Sequence, residues 1–217
     1  MATIGFIGAG NIGSQVARLA IQSGYDVVLS NSRGPDTLSA LVKELGPKAR
    51  AGTVLDAAQS GDPIVVVSIP LGRFRTVPVE PLVGKIVIDT NNYYPQRDGA
   101  IPELKQETAT SLELLQQHLP KSKVIKGFNH IYAAQLTTDG SARGTPNRRA
   151  LVIAGDDAAA KATVTALLDQ FGFDTVDAGA AKDSWRIQPG TPGYGPRHNA
   201  EQARAALAAA KRPAPAH

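Results

Sequence analysis

Thr3-Ile4-Gly5-Phe6-Ile7-Gly8-Ala9-Gly10-Asn11-Ile12-Gly13 is the stretch from which the rest of the chain is read. Residues 3–7 form a short apolar run, suited to a strand buried on both faces of a parallel sheet. Residues 12–23 then place Ile12, Val16, Leu19, Ala20 and Ser23 at helical spacing, and Gly24 sits where a helix ends. The pattern G-x-G-x-x-G therefore lies between a strand and a helix, the setting in which it binds a dinucleotide. Gly8 permits the tight turn, Gly10 lets the backbone approach a pyrophosphate, and Gly13 lets helix and strand pack closely. Ala9, Asn11 and Ile12 complete the loop, and the helix starting at Asn11 offers its free N–H groups and positive dipole end to the phosphates.

Outward from this turn, strand-like and helix-like runs alternate. Strands are expected over residues 26–30 (DVVLS), 49–52, 63–69 (PIVVVSI), 85–89 (KIVID) and 123–128 (KVIKGF). Helices are expected over 36–45, 54–60 and around 111–118. Two more strands, 150–154 (ALVIA) and 173–176, flank an Ala-rich helix over 156–171, with Asp156 as its N-cap and Gly172 as its C-cap. A last helix is expected over 199–210. This alternation predicts right-handed βαβ units. The fold class is α/β: a Rossmann-type, doubly wound, mainly parallel sheet with a small C-terminal part. Residues 1–180 form the cofactor-binding domain. Residues 181–217 form a small segment that completes the substrate pocket or a dimer contact and is not an independent domain. Residues 137–149 read as a polar surface loop, and 188–197 (QPGTPGYGPR) is too rich in Gly and Pro for a regular element.

Composition narrows the function. The chain has 217 residues, a net charge of +4 and no Cys, so disulfides, thiolate metal sites and a thiol nucleophile are excluded, and no metal is expected. The excess of positive charge is spread along the chain, with Arg148-Arg149 and Lys211-Arg212 the main clusters, and 5 Tyr, 5 Phe and 1 Trp are too few for a nucleic-acid surface. No apolar stretch approaches the ~18 residues of a membrane span, and no leader-like segment precedes the first strand. The expectation is a cytoplasmic protein that acts on a small molecule, away from membranes and nucleic acids.

Four segments carry the chemistry. At the end of the second strand, Asn31, Ser32 and Arg33 stand where NAD-selective folds place an acid for the ribose 2′-hydroxyl. Neutral and cationic donors there suit a 2′-phosphate, so the cofactor is read as NADP. After the fourth strand, Ser68, Ile69 and Pro70 line the cofactor path. After the fifth, Asn91, with Asn92 beside it, can bond a ribose or carboxamide. After the sixth, Asn129, His130 and Ile131 lie near the nicotinamide as substrate contacts, with His130 as the candidate proton donor. Trp185 and Tyr194 serve a lid, a substrate wall or a dimer contact.

The ordered set IGAGNIG, SNSR, VSIP, VIKGFNHI, and AGDD followed by VDAG resembles the short NADP-binding oxidoreductases of the coenzyme F420-dependent NADP oxidoreductase family, over residues 3–197. The resemblance implies a Rossmann domain with a small C-terminal part, paired as a homodimer. It implies direct hydride transfer between the nicotinamide of NADPH and a stacked deazaflavin, coenzyme F420 being the second substrate. It also implies that Ala9, Asn11 and Ile12 meet the pyrophosphate, Ser32 and Arg33 the 2′-phosphate, Ser68, Ile69 and Pro70 the cofactor, and Asn129, His130 and Ile131 the hydride site. The chain departs from the family over residues 185–197, which leaves the acceptor open between a deazaflavin, a flavin and another planar compound. Two alternatives remain: an NADPH-dependent reductase of a small imine or carbonyl compound, with His130 or Tyr94 as proton donor, and a non-catalytic NADP sensor.

Overall fold

The computed structural model describes residues 2–212, so the end of the expected C-terminal segment, residues 213–217, lies outside the described residues. The first half runs β1 (Thr3–Ile7), α1 (Asn11–Gln22), β2 (Asp26–Ser30), α2 (Ser39–Leu45), β3 (Ala49–Ala51), α3 (Val54–Ser60), β4 (Ile64–Val67) and β5 (Ile86–Asp89). It continues through α4 (Pro95–Asp98), α5 (Pro102–Lys105), α6 (Ser111–His118), β6 (Lys123–Lys126) and α7 (Ala133–Leu136). The chain then forms β7 (Ala150–Ile153), α8 (Ala158–Gln170), β8 (Asp174–Asp177), a 3-10 segment Ala181–Ile187 and α9 (Ala200–Ala209).

Strands β1 to β6 form one parallel sheet in the order β3-β2-β1-β4-β5-β6, the doubly wound Rossmann order. The strand sequences explain their place. IVVV of β4 is buried at every position, as a central strand covered on both faces must be. Alternate residues point to opposite faces. Phe6, Leu29, Val66, Ile88 and Ile125 join the core under α1 and α8, while Ile7, Val28, Val65, Val87 and Val124 join the core under α3 and α6. The order reverses between β1 and β4, so the loops after β1, β2, β4, β5 and β6 open onto one edge. A ligand crevice belongs there.

Four expectations change in detail. The helix expected over 36–45 begins as a 3-10 turn, Pro35–Leu38, before α2; Thr37 Oγ1 donates to the Gly34 carbonyl and accepts from Asn31 Nδ2, tightening that first turn. The N-cap of α8 is Asp157, whose carboxylate accepts from the Ala160 N–H at 2.7 Å. Asp156 instead accepts from the Ala181 N–H at 2.9 Å, tying α8 to the C-terminal part. β7 and β8 form a separate two-stranded parallel sheet, joined to the main one by an antiparallel bridge between Lys126 and Ala154. Arg148 and Arg149, expected in a solvated loop, are buried. Arg148 pairs with Asp169 at 2.6 Å and Asp174 at 3.0 Å, and Arg149 pairs with Asp139 at 2.6 Å. Their acids arrive from α8, β8 and the turn after α7, contacts that no local pattern announces. Among the described residues no helix is long and apolar enough to cross a membrane.

Candidate cofactor groove

The glycine turn is built as its spacing requires. Gly8 has φ +103°, and a Cβ there would collide with the Ser68 carbonyl oxygen. A Cβ on Gly13 would strike the Gly8 carbonyl, so Gly13 is a packing residue inside the turn and not a wall of the groove. Gly10 has no neighbour within 4 Å of its ideal Cβ position. Gly8 and Gly13 hold backbone against backbone, and Gly10 leaves room for a ligand.

Two adjoining clefts run along this edge of the sheet. The first, about 620 Å³, is bounded by Gly8, Ala9, Asn31, Ser32 and Arg33. The second, about 420 Å³, is bounded by Asn11, Ile12, Asn91, Asn129 and Ile131. Gly10, Ser68, Ile69 and Pro70 line both, so the clefts form one continuous groove past the glycine turn. Its total length brings together every candidate site residue except Gly13 and His130.

The polar side chains divide into those already engaged and those left open. Asn31 is engaged: its Oδ1 accepts from the Arg33 N–H at 2.9 Å and its Nδ2 donates to Thr37 at 2.8 Å, so it shapes the loop that presents Ser32 and Arg33. Asn129 is engaged as well. Its Nδ2 donates to Asn92 Oδ1 at 3.1 Å and to the Ile187 carbonyl at 2.7 Å, tying the loop after β6 to the C-terminal segment. Asn91 is open. Its Oδ1 accepts from the Ile69 N–H at 3.0 Å, but its buried Nδ2 has no partner. A buried amide donor without an acceptor costs about 1–3 kcal/mol, and a ligand oxygen in the adjoining cleft would remove that cost.

Beneath Asn91 lies a buried ion pair. Asp89 and Lys126 end neighbouring strands in register and meet at 2.7 Å. Lys126 Nζ also donates to the Asn91 carbonyl at 2.7 Å and to Ser111 Oγ at 3.0 Å, and Asp89 Oδ1 accepts from the Asn91 N–H at 2.9 Å. The pair thus clamps the Asn91 backbone from both sides. A charged residue closing each of two apolar strands, KIVID and KVIK, is the sequence signal, but only the β5–β6 register makes it a pair.

His130 does not face the groove. Its Nε2 accepts from the Val152 N–H at 3.0 Å, which leaves the proton on Nδ1 beside Asn129 Oδ1 at 3.3 Å. Burial, reinforced by the nearby Arg149 guanidinium and the His198 ring, pushes its pKa from 6.5 down to about 3. A neutral, buried ring turned toward β7 has no proton to give near neutral pH, so the candidate proton donor is a structural strut. The consequence for stability has a definite sign. The folded-state pKa is depressed, so the unfolded chain takes up the proton first; the contribution is complete above pH 6.5 and is lost as pH falls from there toward 3. Urea unfolding should show His130→Gln losing less stability than the wild type on acidification, by about 1.4 kcal/mol per pH unit below about 6. Parallel pH curves for the two proteins would refute the assignment.

Aromatic hydroxyls take the place expected of His130. Tyr94 and Tyr194 meet hydroxyl to hydroxyl at 2.6 Å in the second cleft, and Tyr132 borders it with 63% of its surface exposed. Burial, then the bond to Tyr94, raises the pKa of Tyr194. Tyr194 comes from the irregular 188–197 segment, so that segment supplies part of this wall. Arg97 binds Asp98 through two nitrogens, donates to the Asn92 carbonyl at 2.9 Å and lies over the Tyr94 ring at 4.9 Å. Arg73, Thr76 and Arg97 also border the groove; they lie in the 3-10 turn after β4 and in the single-turn helix α4 after β5, elements too short for sequence periodicity to mark a side chain's direction.

Comparison with known proteins bears on this groove. Residues 3–93 match the family described as NADP oxidoreductase, coenzyme F420-dependent. The structure of a hypothetical protein, SMa0349 from Sinorhizobium meliloti, superimposes with a TM-score of 0.77 and 30% identity over 91% of this chain and 95% of that one. A candidate F420-dependent NADP-reductase from Arthrobacter sp. FB24 gives a TM-score of 0.71 and 26% identity over 83% and 86%. Metalloreductase STEAP3 of Rattus norvegicus is 26% identical over 187 residues, 85% of this chain and 35% of that protein. The chain spans about a third of the length of the curated relatives it matches, 35% and 37%.

Proposed function

This chain belongs to the coenzyme F420-dependent NADP oxidoreductase family, and from that premise we propose that it binds NADP along the groove and passes hydride between the nicotinamide and a planar acceptor of the flavin or deazaflavin type. The observation that carries the proposal is a pair of features on one groove: the open space at Gly10 and the unpartnered, buried Nδ2 of Asn91. A dinucleotide supplies what each requires, a pyrophosphate close to backbone and an acceptor oxygen farther along.

In this reading the first cleft takes the adenosine end, with Ser32 and Arg33 toward the 2′-phosphate. Ala9, Gly10, Asn11 and Ile12 hold the pyrophosphate at the start of α1. Ser68, Ile69 and Pro70 support the cofactor's length, and Asn91 orients its nicotinamide end. When bound, the reduced nicotinamide supplies the hydride. The chain's own task is alignment: Ile131, Tyr94, Tyr194 and Tyr132 border the space for the second ring and exclude water from it, so transfer between two stacked rings needs no side-chain acid. Residues 181–212 act as a wall of this site through Tyr194 and not as a separate domain.

The test is anaerobic mixing of the protein with NADPH and either coenzyme F420 or FMN, following loss of the reduced-nicotinamide absorbance. Turnover with one of these acceptors is the expected result; saturable NADPH binding with no turnover on any acceptor would favour a sensor. A second reading, reduction of a small imine or carbonyl compound, is favoured by the Tyr94 hydroxyl. Hydride would add to carbon while Tyr94 gives its proton to nitrogen or oxygen, with Tyr194 as its hydrogen-bond partner. In that case Tyr94→Phe loses about 10²-fold or more in kcat; with a deazaflavin acceptor it changes kcat less than about threefold.

A further inference from the structure

Five basic or polar side chains near the first cleft differ in what holds them. Arg97 is committed to Asp98, the Asn92 carbonyl and the Tyr94 ring. Arg75 lies over the Phe74 ring at 4.6 Å, and Asn31 is consumed within its own loop. Arg33 and Arg73 are different. Both line the cleft, both are exposed, and among the described residues neither guanidinium has a hydrogen-bond or ion-pair partner. Asp98, the acid bordering the same cleft, is already neutralised by Arg97 at 2.8 Å, with its own side chain fully buried. The cleft therefore holds two uncommitted cations and no uncommitted anion.

Topology explains why the two line one cleft. β2 and β4 both neighbour β1, so the loop after β2, with Arg33, and the turn Leu71–Thr76 after β4, with Arg73, flank the glycine turn on opposite sides. The turn is held in place. A Cβ on Gly72 would lie 2.7 Å from the Asp98 carbonyl oxygen, and Leu71 and Phe74 are buried on either side of Arg73. A dianion between the two walls could be gripped from both, and a guanidinium matches phosphate geometry with paired N–H donors.

We propose that Arg73 is a second specificity residue for the 2′-phosphate, closing on it from the β4 side while Arg33 binds it from the β2 side. The inference rests on NADP being the cofactor. It predicts that Arg73 discriminates NADPH from NADH, although it lies some 40 residues beyond the loop where the sequence signature for that choice resides.

Binding should be measured by titrating the full-length wild type, Arg33→Ala, Arg73→Ala and Arg73→Lys with NADPH and NADH, and with adenosine 2′,5′-bisphosphate and 5′-AMP. Arg73→Ala should weaken NADPH and the bisphosphate by about 10- to 100-fold, the loss of a charge-assisted contact. It should leave NADH and 5′-AMP within about twofold, and Arg73→Lys should restore part of the loss. Equal weakening of all four ligands would overturn the inference, since it would place Arg73 on the adenine and not on the phosphate. Unchanged NADPH affinity would also overturn it, while leaving NADP as the cofactor. A wild type that binds NADPH no better than NADH removes the underlying reading as well, so the two failures are told apart.

Discussion

Lys126→Met should destabilise the protein by about 3–5 kcal/mol, the cost of leaving a buried charge without its partner. Asp89 and Lys126 are 0% and 2% exposed, and the lysine's three donors all reach acceptors within the fold. Removing the ammonium strands a carboxylate between two parallel strands and releases the Asn91 carbonyl and Ser111. Domains have only about 5–15 kcal/mol to lose, so urea unfolding should show a large fall in midpoint. The double variant Asp89→Asn, Lys126→Met should recover much of the loss, because it removes the unpaired charge. NADPH affinity should not recover to the same degree, since Asn91 is still no longer clamped. A single variant as stable as the wild type would mean that the pair is not the anchor described above.

Gly8→Ala and Gly10→Ala should separate folding from binding at two positions that the motif treats alike. At Gly8 the added methyl meets the Ser68 carbonyl, and the residue must hold φ +103°. Positive-φ strain of about 1–3 kcal/mol adds to a backbone collision, so a loss of about 3 kcal/mol or more is expected, and cofactor affinity falls with it. At Gly10 the backbone, φ −79° and ψ −159°, suits alanine, and nothing lies within 4 Å. Gly10→Ala should therefore melt with the wild type yet bind NADPH at least about tenfold more weakly, because the methyl occupies the approach of the pyrophosphate. Wild-type affinity in Gly10→Ala would sink the assignment of this turn to the phosphates.

Much of the groove was legible before the fold was known. Gly8 to Ile12, Ser32, Arg33, Ser68 to Pro70 and Asn91 sit at fixed offsets from strand ends, and strand ends are marked by local composition. His130 was also at a strand end, and there position alone misled. The loop after β6 brings Asn129 and Ile131 to the cleft and turns the ring between them toward Val152. Which way a side chain in an irregular loop turns depends on partners distant in sequence.

The same division holds for the whole molecule. The βαβ alternation, the dinucleotide turn, the lack of an acid at the end of β2 and the family resemblance are all read from local sequence, because each is written in neighbouring residues or in a period of 2 or 3.6. Strand order and packing set the rest: Asp89 meets Lys126, Arg148 and Arg149 are buried with acids from three separate segments, Tyr194 reaches Tyr94 across 100 positions, and Arg73 joins Arg33 in one cleft. The physical reason is common to all four. A charge or hydroxyl takes its role from the partner that replaces its water, and that partner is chosen by strand order and register.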